Sequence, residues 1–135
     1  MFSWKRPTNL GVRAGRLARC KHTPNCVSSQ ADRGDRGHYI APFAFEGEPS
    51  AATAALRRAV EAAPGARVVQ TTPDYLYAEF RSRVMRFVDD VEFALDPANG
   101  VIHVRAAARM GIRDFGVNRA RVESLRRAFA ALIKR

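Results

Sequence analysis

The side chains best able to do chemistry in this 135-residue chain lie between Phe87 and Arg121, in the run FVDDVEFALDPANGVIHVRAAARMGIRDFGVNRAR. Asp90 and Glu92 alternate along one strand-like segment, and His103, Arg105 and Arg109 follow on the next. Two neighbouring carboxylates can split their pKa values and divide acid and base work between them. Guanidinium groups beside them can instead grip an anion in a two-pronged hydrogen bond. Tyr75, Tyr77 and Glu79 precede this run at the same alternation and add stacking surface and a third acid. The plain alternative is a solvated face of cross-strand ion pairs, each worth about 0.2–1 kcal/mol. No nucleophile and no metal-ligand spacing accompanies the acids, so an enzymatic role is the weaker reading and neither a cofactor nor a metal is implied.

The elements that must hold these groups follow from periodicity and turn chemistry. Strand signals span Arg67–Thr71, Tyr75–Ser82, Phe87–Leu95 and Val101–Ala108, the last two joined by Asp96, Pro97, Asn99 and Gly100. A four-residue loop Asp96–Asn99 pairs Phe93 with Ile102, Val91 with Val104 and Asp89 with Ala106 on one face. It pairs Glu92 with His103 and Asp90 with Arg105 on the other. A one-residue slip would mix charge into both faces, which a sheet with one buried side disfavours. On the preceding strand Leu76, Ala78 and Phe80 join the apolar face, and Tyr75, Tyr77, Glu79 and Arg81 the polar one.

Ahead of the strands, Pro49-Ser50 opens an Ala-rich helix with Ala52, Ala55, Leu56, Ala59 and Val60 at helical spacing and Ser50 as a cap, ended by Pro64-Gly65. After them, Val122, Leu125, Phe129, Leu132 and Ile133 line a helix that starts near Asn118, read as its cap. HYIAPFAF from His38 reads as a short edge strand broken by Pro42. The expected architecture is α+β: a four-stranded antiparallel meander with one helix before and one after it on one face. Residues 1–37 read as an irregular N-terminal arm that wraps the domain or is partly disordered, and 38–135 as one domain.

Two further stretches carry candidate chemistry. Gly111 and Gly116 permit close backbone approach where a helix N-terminus exposes amides, and Arg109, Arg113, Arg119 and Arg121 surround it. Basic residues in a first helical turn oppose the helix dipole, so they require partners, either Asp114 and the sheet acids or an external anion. Cys20 and Cys26 enclose His22 at a spacing too wide for a usual structural zinc site. A disulfide is sterically possible, but without a secretory leader reduced thiols are the default, which leaves Cys26 as a possible reactive thiol.

Charge is uneven within the net +10: the two ends are basic and the middle is mildly acidic. Such a field concentrates anions, so nucleic acid, anionic lipid or an anionic metabolite are the partner classes it admits. No apolar run is long enough to span a membrane, which points to a soluble, cytoplasmic protein.

Several motifs in one order resemble a known family. They are PTNLG at 7–11, PNCVSSQ at Pro24–Gln30, Tyr77-Ala-Glu79, FVDDVEF at Phe87–Phe93 and VRAAARMGIRDFGVNRARVESLR at Val104–Arg126. Together, from Pro7 to Arg126, they closely resemble the family catalogued as domain of unknown function 1499. Its members typically read R-S-A-S-R where this chain has Arg105-Ala-Ala-Ala-Arg109, so any chemistry of those hydroxyls is lost here. The family occurs in bacteria and plant plastids, some members carry membrane segments, and no activity is established for it. The resemblance implies a shared polar set: Cys26, Ser28, Ser29, Glu79, Asp90, Glu92, Arg105, Arg109, Asp114, Asn118 and Arg119.

These readings favour a non-enzymatic ligand-binding or interaction domain. Arg105, Arg109 and Arg119 would receive an anionic group, while Glu79 and Asp90 orient them. The alternatives are an enzyme using Cys26 or the carboxylate pair, and a basic domain whose arm and Arg126, Arg127, Lys134, Arg135 surface attach to nucleic acid or an anionic membrane.

Overall fold

Alternation along the chain becomes an antiparallel sheet in the computed structural model, which describes residues 5–82, 87–111 and 113–134. Its strands are β1 (Cys26–Ser28), β2 (Phe43–Ala44), β3 (Ala66–Thr72), β4 (Tyr75–Arg81), β5 (Val88–Asp96) and β6 (Val101–Ala108). Helix α1 (Pro49–Ala62) precedes β3 and α2 (Val117–Ile133) follows β6. The fold is α+β as expected, but among the described residues the sheet has six strands rather than four. The order is β1-β6-β5-β4-β3, with β2 also on β6. The added strands are three and two residues long, too short to show alternation, and they close the edge that β6 would otherwise expose.

Face assignment agrees with the sequence, whereas the hairpin register is shifted by two residues. Glu92 opposes Arg105, Val91 opposes Ala106 and Asp90 opposes Ala107. The turn is Pro97–Gly100 rather than Asp96–Asn99: Gly100 closes it at φ 62, and Asp96 pairs with Val101 as the last rung. Left-handed backbone at the closing residue suits glycine, so the loop ends one residue later than assumed.

Both helices pack on the face built from Leu76, Ala78, Phe80, Val91, Phe93, Ile102 and Val104. Helix α1 buries Ala52, Ala55, Leu56, Ala59 and Val60, as their spacing predicts. Pro49 starts it, where its missing amide costs nothing, and Ser50 lies inside the helix instead of capping it. Gly65 ends the connection to β3 at φ +77, and a Cβ there would sit 2.5 Å from the Arg81 carbonyl oxygen. Phe43 lies between Phe93 and Phe129, 5.6 Å from each ring centre.

Asn118 is not the cap of α2. Asp114 fills that role, its carboxylate accepting the amides of Gly116 at 3.0 Å and Asn118 at 3.2 Å. Asn118 sits fully buried in the first turn, donating to Asp114 and accepting from Arg121. No described helix is long and apolar enough to cross a membrane.

The opposite face of the sheet is not left to solvent. Residues of the N-terminal segment lie across it: Arg6 reaches Glu79, the Gly11 amide reaches Glu92, and the Arg19 carbonyl reaches Arg105. Leu17 is buried along the way, its amide held by Gln30.

Candidate functional site

Strand alternation brings Tyr75, Tyr77 and Glu79 of β4, Asp90 and Glu92 of β5, and Arg105 of β6 onto this covered face. Glu79, Asp90, Glu92 and Arg105 are all buried, with Glu92 at 0 % exposure. An unpaired charge so placed would be prohibitive, so the question is where each finds its counter-charge.

Arg109 answers for two of them. Beyond the end of β6 its amide donates to the Val88 carbonyl at 3.0 Å, which turns its side chain back over the sheet. Its guanidinium then clamps Asp90 with two bonds, of 3.1 and 2.6 Å, and reaches Glu79 at 2.8 Å. Arg6 bonds the same Glu79 oxygen from outside, also at 2.8 Å. The Tyr77 hydroxyl donates a hydrogen bond to Asp90 at 2.5 Å and accepts one from Arg109 at 3.3 Å. Burial works to raise the Glu79 pKa, but the bonds from Arg6, Arg109 and Tyr77 overcome it and hold the carboxyl at about 2. Asp90, above all, drives Arg109 above its already high value, so this guanidinium stays charged. Burial, together with the Asp90 carboxylate, raises Tyr77, which stays a neutral donor.

The second half of the face is less well matched. Glu92 Oε2 accepts from the Tyr75 hydroxyl at 2.5 Å and the Gly11 amide at 2.6 Å. Its Oε1 has no hydrogen-bond partner and lies 3.8 Å from the nearest Arg105 nitrogen, an ion pair without a hydrogen bond. Arg105 itself donates to the Arg19 carbonyl at a long 3.4 Å, and its Nε is buried with no partner. Burial lowers the Arg105 pKa against the opposing pull of Glu92 and Asp90.

Arg105 also lines a cavity of about 550 Å³ between the arm and the sheet. Lys5 and Lys21 from the arm, Asn25, Asp90 and Arg109 share its wall. Among the described residues Glu79, Asp90 and Glu92 are balanced by Arg6, Arg105 and Arg109 and neither lysine is in an ion pair, so the two lysines bring positive charge to this space.

The remaining predicted residues divide elsewhere. Asp114 and Asn118 join a second chain on the helix-covered face, where Arg121 bonds Asn118 at 2.8 Å and Asp89 at 2.6 Å and stacks 4.8 Å from the Phe80 ring centre. Burial raises the Asp89 pKa against the pull of Arg121. Arg119 donates to the Arg36 and Gly37 carbonyls and touches neither set of acids. Cys26 is bonded to Cys20, which corrects the reading of it as a reactive thiol: in this form it has no proton to lose and no lone thiolate to attack with. The basic C-terminal surface is also less free than its sequence suggests. Arg126 is spent on Glu123, on the Ala41 and Pro42 carbonyls and on the Phe43 ring; Arg135 lies outside the described residues.

His103, expected opposite Glu92, instead joins Ser29 Oγ at 3.0 Å and Asp96 at 3.3 Å. Ser29 is buried and its Oγ accepts the Val104 amide, extending the β1–β6 pairing, so this serine is a ladder element and not an exposed nucleophile. Ser28 likewise accepts the Gln30 amide.

Sequence reasoning missed Arg6, the Gly11 amide, Lys5 and Lys21, because an arm without periodicity gives no sign of what it lies on. It also missed the Asp89–Arg121 pair, although an acid placed on the apolar face was itself a signal that a basic partner must reach it.

A family described as Protein of unknown function (DUF1499) matches residues 16–129. No curated protein and no solved structure matches the chain.

Proposed function

We propose, on the premise that the chain belongs to the DUF1499 family of proteins of unknown function, that it is a non-enzymatic binding domain for a small anion. The anion enters the cavity under the arm and is held by Arg105 with Lys5 and Lys21. The observation that carries this reading is the under-bonded Arg105: its guanidinium makes one long 3.4 Å bond to the Arg19 carbonyl and sits 3.8 Å from Glu92, while lining a cavity to which two lysines bring positive charge. Buried donors are normally satisfied, and an oxyanion supplies the planar acceptor pair a guanidinium lacks. Arg109 orients the site through Asp90 and does not itself receive the ligand, because Asp90 and Glu79 already occupy it. Arg119 has no part in it.

The test is titration with inorganic phosphate and with a dicarboxylate, read by calorimetry and thermal shift. Binding lost in Arg105→Met and weakened in Lys21→Ser supports the assignment. Binding unchanged in Arg105→Met, or none by the wild-type protein, refutes it.

The disulfide supports a working environment where thiols stay oxidised, rather than the cytoplasm. Alkylation of freshly isolated protein that labels both cysteines would overturn that placement.

A further inference from the structure

One end of the sheet gathers apolar side chains that no described residue covers. Among the large hydrophobic residues described, Phe115 is 90 % exposed, Val117 47 % and Phe87 43 %. Phe87 immediately precedes β5, where the Arg109 amide bonds the neighbouring Val88 carbonyl. Phe115 and Val117 lead into α2, which is fixed to the same strand by Arg121 on Asp89. The three therefore sit at one end of the molecule.

Phe115 is held there at a conformational cost. Its φ is 54, a left-handed backbone that a bulky aromatic residue rarely adopts. The ring gains no burial in return, so the fold itself does not repay the strain.

The charge around this end selects the occupant. Arg113 in the loop and Arg81 at the end of β4 are exposed. The nearby acids are already engaged, Asp89 with Arg121 and Asp114 with the amides of α2. A protein partner needs a matched surface of about 800 Å² a side, far more than three side chains provide. A bilayer accepts isolated apolar wedges without shape matching, and an anionic leaflet attracts the basic groups around them.

We propose that the 113–117 loop, with Phe115 as its wedge and Val117 and Phe87 beside it, docks this end of the protein on an anionic phospholipid surface. The inference stands apart from the anion cavity, since it uses exposed side chains and no group of that site.

The test is co-sedimentation with phosphatidylcholine vesicles, with and without phosphatidylglycerol, at low and high salt. Wild-type protein pellets with the phosphatidylglycerol vesicles and is released by salt. Phe115→Gly removes the wedge and relieves the left-handed backbone, so affinity falls about tenfold while the unfolding midpoint holds or rises. Arg113→Gln weakens binding to phosphatidylglycerol vesicles alone. Arg105→Met, which disables the cavity, leaves vesicle binding intact and so separates the two proposals. Wild-type protein that stays in the supernatant at low salt overturns the proposal, as does a Phe115→Gly variant that binds as well as wild type.

Discussion

The two faces of one sheet are sealed in opposite ways. Under α1 and α2 lies an apolar core of aliphatic and phenyl side chains, in which the Asp89–Arg121 pair is a local exception. Under the arm lies a layer of carboxylates, guanidiniums and tyrosine hydroxyls buried just as deeply. Apolar packing is non-directional and tolerates small shifts, whereas a buried ionic layer holds only when each charge meets its partner. The apolar face can therefore stabilise the fold without specifying any ligand. The polar face is a place where one missing partner creates a site, and Arg105 is where the match is incomplete.

Breaking the polar layer gives the largest effect. Arg109→Met takes the ion-pair partner from Asp90 and leaves Glu79 to the exposed Arg6, and costs about 3–5 kcal/mol of unfolding free energy by denaturant titration. A loss below about 1 kcal/mol would mean that the layer is wet rather than buried.

Reducing the Cys20–Cys26 disulfide, which closes a short loop in the arm, lowers stability by about 2 kcal/mol. Hydrogen exchange should rise in the arm and not in α1 or α2. Equal loosening of both faces would contradict the arm's role as a separate cover.

Acid sharpens the contrast further. Glu79, held at about 2 against an ordinary 4.5, contributes stability that is complete above pH 4.5 and is lost as pH falls toward 2. Asp89 is raised instead, so its protonation does not add to that loss. Glu79→Gln should flatten the acid slope of the denaturation midpoint and Asp89→Asn should not; the reverse pattern would exchange the roles of the two faces.

The smallest change is expected at Arg119, where Ala shifts stability by no more than about 0.5 kcal/mol and leaves anion binding untouched, because its partners are surface carbonyls.

Legibility in the sequence followed the same division. Alternation placed Tyr75, Tyr77, Glu79, Asp90, Glu92 and Arg105 on one face correctly, because a period of two is a property of the strand itself. The exact rung depended on which residue closed the turn, and Gly100 moved Arg105 from Asp90 to Glu92. Helix α1 was readable from its apolar stripe, yet capping by Asp114 was not, because Asn118 was an equally good candidate by type. An arm wrapping the domain was one reading of residues 1–37, but the face it covers was not legible. Arg6, Gly11 and Arg19 lie far from Glu79, Glu92 and Arg105 along the chain, and no local pattern encodes such contacts. An apparently solvated ladder was in fact an interior.

The central claim is that Arg105 is the group that receives an anion, and nitrogen-15 NMR of the arginine side chains during a phosphate titration addresses it directly. A saturable shift and slowed exchange of the Arg105 terminal guanidinium N–H groups, with the Arg109 Nε–H already protected before phosphate is added, is the predicted result. Shifts spread over Arg57, Arg119 and other surface arginines with none at Arg105 would contradict it.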